Sequence, residues 1–100
     1  MKRKLRQKIK ISENDVKRQI KQLLSLKGYF HFPLTAGIGS YKGAPDIIAI
    51  KNNRGLFLEI KRPVGGKQSD YQKQFQADIE SKGGEYYLIR SIEDLVKIIL

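Results

Sequence analysis

Two periods organise the apolar positions after residue 11. From Ser12 onward Val16, Ile20, Leu23 and Leu24 recur at helical spacing, Ser12 and Asp15 form a capping pair, and Gly28 follows as a stop. A helix is therefore expected from about Glu13 to Lys27. Tyr29 to Leu34 is aromatic and reads as a strand that ends near Pro33, followed by a glycine-bearing loop over Thr35 to Pro45 with Gly37, Gly39 and Gly43. A second strand starts at Asp46, and Asn52-Asn53-Arg54-Gly55 is turn chemistry. Leu56 to Lys61 then alternates, with Leu56, Leu58 and Ile60 on one face and Phe57, Glu59 and Lys61 on the other. After Pro63, Gly65 and Gly66, Ser69 opens a helix with a stripe of Tyr71, Phe75 and Ile79 that Gly83-Gly84 ends. Tyr86 to Ile89 is a short strand, and Ser91 with Asp94 caps a closing helix. The order α, β, β, β, α, β, α predicts a small α/β domain: a mixed sheet of about four strands flanked by helices.

Alternation leaves Glu59 and Lys61 side by side on one strand face, about 7 Å apart along the chain, among apolar neighbours. If Lys51 and Leu56 flank a four-residue hairpin loop, Asp46 lies opposite Lys61 and diagonal to Glu59. A loop one residue longer or shorter would move Asp46 to the other face. Two neighbouring carboxylates repel, which raises the pKa of one or recruits a cation, and hard oxygen ligands favour Mg²⁺ or Mn²⁺. An ammonium beside such a cation suits phosphodiester hydrolysis. On an exposed sheet face the same three side chains would be an ordinary salt-bridge cluster. Glu-x-Lys alone carries little information, since Glu80-Ser81-Lys82 is a second copy near the end of a helix.

Composition narrows the chemistry. With no cysteine and one histidine, His31, thiolate zinc sites, disulfide scaffolds and a Ser-His-Asp triad are excluded or disfavoured, so a metal would be held by oxygen. His31 sits in an aromatic strand and reads as a packing residue. The net charge is +10, and it is uneven: residues 1–75 carry seventeen basic and five acidic side chains, residues 76–100 three and five. Such a field points to a nucleic-acid partner, with a solubilising surface or attraction to anionic lipid as the alternatives. Residues 1–11, with six Lys and Arg, read as a basic arm ahead of one domain over residues 12–100. No apolar run is long enough for a membrane span or a secretory signal, so a cytoplasmic protein is expected.

Gly43-Ala44-Pro45-Asp46, then Glu59-Ile60-Lys61, Ser69-Asp70-Tyr71-Gln72 and Tyr87-Leu88-Ile89-Arg90-Ser91 together resemble the VRR-NUC domain of the PD-(D/E)xK nuclease superfamily. The resemblance runs from about Glu13 to the C-terminus and implies a restriction-endonuclease-like core. It implies that Asp46 and Glu59 bind Mg²⁺ or Mn²⁺ with the backbone carbonyl of Ile60, that Lys61 serves the attacking water, and that Glu13, which matches the glutamate of the first helix, reaches the metal as a further ligand. As a first-turn acid, Glu13 equally suits the helix dipole. Gln72 resembles the glutamine of the family's later helix, which implies that it holds a water or phosphate near Lys61, and Ser69-x-x-Gln72 is also a capping box; the two uses are compatible. Lys42, Arg62, Lys67 and Ser69 are candidate DNA contacts, as is Tyr41. The implied activity is metal-dependent DNA hydrolysis leaving 5′-phosphate and 3′-hydroxyl ends, by a homodimer acting on branched DNA such as four-way junctions. A non-catalytic basic binding module and a flap- or end-specific nuclease are the alternatives.

Overall fold

The computed structural model describes residues 10–34 and 41–100. Most of the basic arm, and Gly37 and Gly39 of the glycine-bearing loop, lie outside them. Helix α1 (Glu13–Leu26) is followed by β1 (Phe30–Pro33), β2 (Ile47–Lys51) and β3 (Arg54–Ile60), then α2 (Asp70–Ser81), β4 (Glu85–Ile89) and α3 (Ile92–Ile99). The seven elements arise in the expected order. One four-stranded sheet has the order β1-β2-β3-β4. Its first two pairings are antiparallel and β3 pairs parallel with β4, so α2 is the crossover that a parallel pair requires.

The two sheet faces are covered differently. Leu56, Leu58 and Ile60 of β3, with Ile47 and Ala49 of β2 and Ile89 of β4, pack on Val16, Ile20 and Leu24 of α1 and Leu95 of α3. All are essentially sealed from solvent, as the two periods require. On the opposite face α2 lies over β3 and β4 through Phe75, whose ring meets those of Phe57 and Tyr86 at 6.3 and 6.4 Å. The β1–β2 half of this face is left with Phe30 and Ile50 exposed. The expected stripe of α2 is only partly realised. Phe75 and Ile79 are half-buried, whereas Tyr71 is 58% exposed, its ring beside the Lys42 ammonium while Phe75 meets the sheet aromatics.

Local chemistry explains the ends of the elements. Ser12 and Asp15 form a full capping box on α1, and Ser69 and Gln72 form another on α2. The third expected pair does not form. The Ser91 side chain caps nothing, and Asp94 accepts instead from the Arg90 amide at 2.8 Å. Arg54 clasps Glu85 through two contacts of 2.8 Å and donates to the Ile98 carbonyl at 3.0 Å, tying β3 to β4 and to α3. His31 is half-buried on β1, its Nε2 2.9 Å from Ser25 Oγ.

The β2–β3 hairpin differs from expectation in length. Lys51 pairs with Arg54, so the loop is Asn52-Asn53 alone, with φ of 51° and 64°. Positive φ at both central residues is the type I′ turn whose twist matches the strands, and asparagine tolerates it. A loop two residues shorter preserves the face of every side chain while shifting each partner by two.

Candidate metal and phosphate site

At the far end of that hairpin the ladder is offset. Leu58 is the partner of Ile47, yet its carbonyl also accepts from the Asp46 amide at 3.0 Å. Two residues therefore oppose one, the arrangement of a β-bulge, which turns a side chain away from simple alternation. Asp46 is bent toward the end of β3, where its Oδ2 accepts from the Ile60 amide at 2.7 Å. Oδ1 lies 3.2 Å from Lys17 Nζ, and the same ammonium is 3.2 Å from Glu13 Oε2. The expectation that Asp46 faces Lys61 is thus corrected: the shorter loop and the bulge set Asp46 against Ile60 and Lys17.

Glu59 is the one buried charged residue among those described, 3% exposed under α2. Its Oε2 accepts from Gln72 Nε2 at 2.7 Å and lies 3.4 Å from Lys61 Nζ. Burial above all, then the neighbouring Asp46 charge, pushes its pKa up to about 7 against the opposing pull of Lys61. Gln72 closes the expected capping box and in addition holds Glu59. Its Oε1 accepts from the Ser69 amide at 2.9 Å, closing the capping box, which leaves Nε2 to hold Glu59. The cap thereby fixes the rotamer of a residue that reaches into the site.

One close backbone approach sets the spacing of these parts. Gly43 has φ +81°, and a Cβ there would sit 2.2 Å from the Tyr71 carbonyl oxygen and 2.9 Å from the Gln72 nitrogen. The segment that leads into Asp46 therefore rests directly on the first turn of α2. Beside it Lys42 places its ammonium 4.9 Å from the centre of the exposed Tyr71 ring, and the Tyr41 ring meets Phe75 edge-on at 5.5 Å.

The structure thus gathers Asp46, Glu59, Ile60, Lys61 and Gln72, with Glu13 linked to them through Lys17. Lys17 is the member that sequence reading missed. Its spacing of four from Glu13 was visible, but such a pair is the commonest surface ion pair on a helix, and nothing local announces its reach to Asp46. The candidate phosphate contacts are more dispersed. Arg62 is exposed, donates to the Val64 carbonyl at 2.8 Å, and shares with Lys10, Ser12 and Val64 the wall of an open cavity of about 720 Å³. Lys67 is exposed, and Ser69 Oγ is engaged in accepting from the Gln72 amide.

Among the described residues no three histidine or carboxylate side chains converge into a metal-binding group. The donor set that fits a hard cation is smaller: Asp46, Glu59 and one main-chain oxygen. A strand residue sends its N–H and C=O to the same edge, so the Ile60 carbonyl leaves β3 on the side where its amide meets Asp46. Two carboxylates, a carbonyl and water suit Mg²⁺ or Mn²⁺, which keep several waters when bound. No helix among the described residues is long and apolar enough to cross a membrane. The chain matches no family model and no curated protein.

Proposed function

We propose that the protein is a metal-dependent deoxyribonuclease whose centre is Asp46, Glu59, Lys61 and Gln72. The observation that carries this reading is Glu59: a buried carboxylate beside a second carboxylate and an ammonium, held by a glutamine from the covering helix. A merely structural role would leave an unexplained cost in burying that group next to Asp46. Asp46, Glu59 and the Ile60 carbonyl would hold Mg²⁺ or Mn²⁺. The bound cation would supply Lewis-acid activation of water and neutralise phosphate charge.

The remaining work falls to the chain itself. Lys61, 14% exposed, holds its Nζ 3.4 Å from Glu59 Oε2, where it orients the attacking water and offsets the charge that grows on pentavalent phosphorus. Gln72 keeps Glu59 in place. Exposed Lys42, Arg62 and Lys67 attract the phosphodiester backbone, in keeping with the net charge of +10. The resemblance to the VRR-NUC domain supports the same reaction and extends it to 5′-phosphate products, branched DNA and a homodimer.

The test is cleavage of end-labelled linear, flapped and four-way DNA with Mg²⁺, Mn²⁺ or chelator. Cleavage of at least one substrate is expected with either cation, with none in chelator and a loss on the order of 10²-fold or more for Asp46→Ala or Lys61→Ala. Product mapping on the flapped and four-way substrates separates the junction reading from a flap- or end-specific one. Tight DNA binding with no cleavage under any condition would instead establish a non-catalytic basic module.

A further inference from the structure

Lys17 is the charged group that the proposed reaction does not use. It follows the buried Val16 on α1, a helix fixed to the sheet by Val16, Ile20 and Leu24, so its stem starts from a rigid position. The side chain is 28% exposed, and its Nζ sits 3.2 Å from both Asp46 Oδ1 and Glu13 Oε2. Both oxygens of Asp46 are therefore engaged, one by the Ile60 amide and the other by an ammonium.

We infer that Lys17 is an internal counter-ion for the carboxylate pair, which a divalent cation displaces from Asp46 on binding, so that Lys17 sets the metal affinity of the site. The inference rests on the metal-dependent reading above. An ammonium on Oδ1 relieves the repulsion between Asp46 and Glu59 in the absence of metal, and opposes by its charge any cation that enters there. Glu13 gives the displaced ammonium a place to go, because residues four apart on a helix remain in reach of one another. In this arrangement Glu13 acts on the metal through Lys17, a positioning role distinct from the direct ligation that the family resemblance implies. A flexible four-carbon stem suits the exchange, and a compact point charge suits the competition.

The experiment titrates Mn²⁺ into the full chain by calorimetry near neutral pH, with melting curves in chelator and in Mn²⁺. Lys17→Gln is expected to bind Mn²⁺ roughly tenfold more tightly than the unaltered protein, the effect of removing one nearby positive charge. Lys17→Arg keeps the charge and should stay close to the unaltered affinity. Lys21→Gln, which removes an exposed charge one turn along α1, should change it by no more than about twofold. In chelator Lys17→Gln should melt lower, and Mn²⁺ should raise its melting temperature by a larger increment. If the glutamine variant does not fold, Lys17→Met, which retains an aliphatic stem, takes its place. Equal or weaker Mn²⁺ binding by the neutral variant, while the unaltered protein binds, overturns this inference alone. Failure of every variant to bind Mn²⁺ at millimolar concentration overturns both it and the metal-dependent reading.

Discussion

The protein contains the same tripeptide pattern twice, and each copy is attended by a glutamine of α2. Glu59-Ile60-Lys61 receives Gln72 at 2.7 Å, and Glu80-Ser81-Lys82 receives Gln76 at 3.1 Å. The two outcomes are nonetheless opposite. In β3, period two puts Glu59 and Lys61 on one face, 3.4 Å apart, beneath a helix that leaves the carboxylate 3% exposed. At the end of α2, residues two apart point about 200° from one another, so Glu80 and Lys82 part company and both face water. A motif acquires reactivity from the period of the element that carries it and from what lies above it. Spacing in the sequence is only the first of these conditions.

Removing each glutamate in turn should separate the copies most sharply. Glu59→Gln is expected to lower Mg²⁺-dependent cleavage on the order of 10³-fold, and Glu80→Gln to leave it within a factor of two or so. Equal losses in single-turnover assays would show that the buried copy is not the reactive one. The lysines extend the contrast: Lys61→Met should cost on the order of 10²-fold in rate with DNA binding retained, and Lys82→Met should cost nothing measurable.

A pH series gives a smaller effect with a definite sign. The Glu59 carboxyl has an ordinary value of 4.5 and rises to about 7 in the folded protein. Between those values the folded state holds a proton that the unfolded chain has released. Metal-free stability is therefore greatest, as far as this group is concerned, below about 4.5 and is lost as pH rises through about 7. Melting curves in chelator should show that decline for the unaltered protein and for Glu80→Gln, with a visibly flatter profile for Glu59→Gln. Parallel profiles for all three would remove Glu59 as the source.

The glutamines should differ least. Gln72→Leu strips a hydrogen bond from a buried acid and breaks a capping box, for an expected loss of about 1–3 kcal/mol in denaturant melts. Gln76→Leu acts at the exposed copy, although its Oε1 also accepts from Gln68 at 2.9 Å, and should cost less than about 1 kcal/mol.

Much of this site was legible from periodicity. Alternation in β3 placed Glu59 and Lys61 on the face opposite Leu56, Leu58 and Ile60, and Ser69 with Gln72 announced the cap that orients the glutamine. The partner of Asp46 was not legible. Asn52-Asn53-Arg54-Gly55 reads equally as a four-residue loop, and only backbone twist selects the two-residue turn with positive φ at both asparagines. The bulge at Asp46 is likewise a property of the paired strands, invisible in either alone. Lys17 and Tyr71 failed for a related reason. Helical spacing tells which residues share a face, but the distance from Lys17 to Asp46 and the neighbours that Tyr71 meets are set by how whole elements dock.

Gly43 carries a consequence for the dimensions of this centre. Main chain touches main chain there, so the gap between the segment supplying Asp46 and the helix supplying Gln72 is as narrow as two polypeptide backbones permit. A single methyl group would act as a wedge, prising the aspartate from the glutamine although both remained in place. The gauge of the cleft is kept by an atom that the residue lacks.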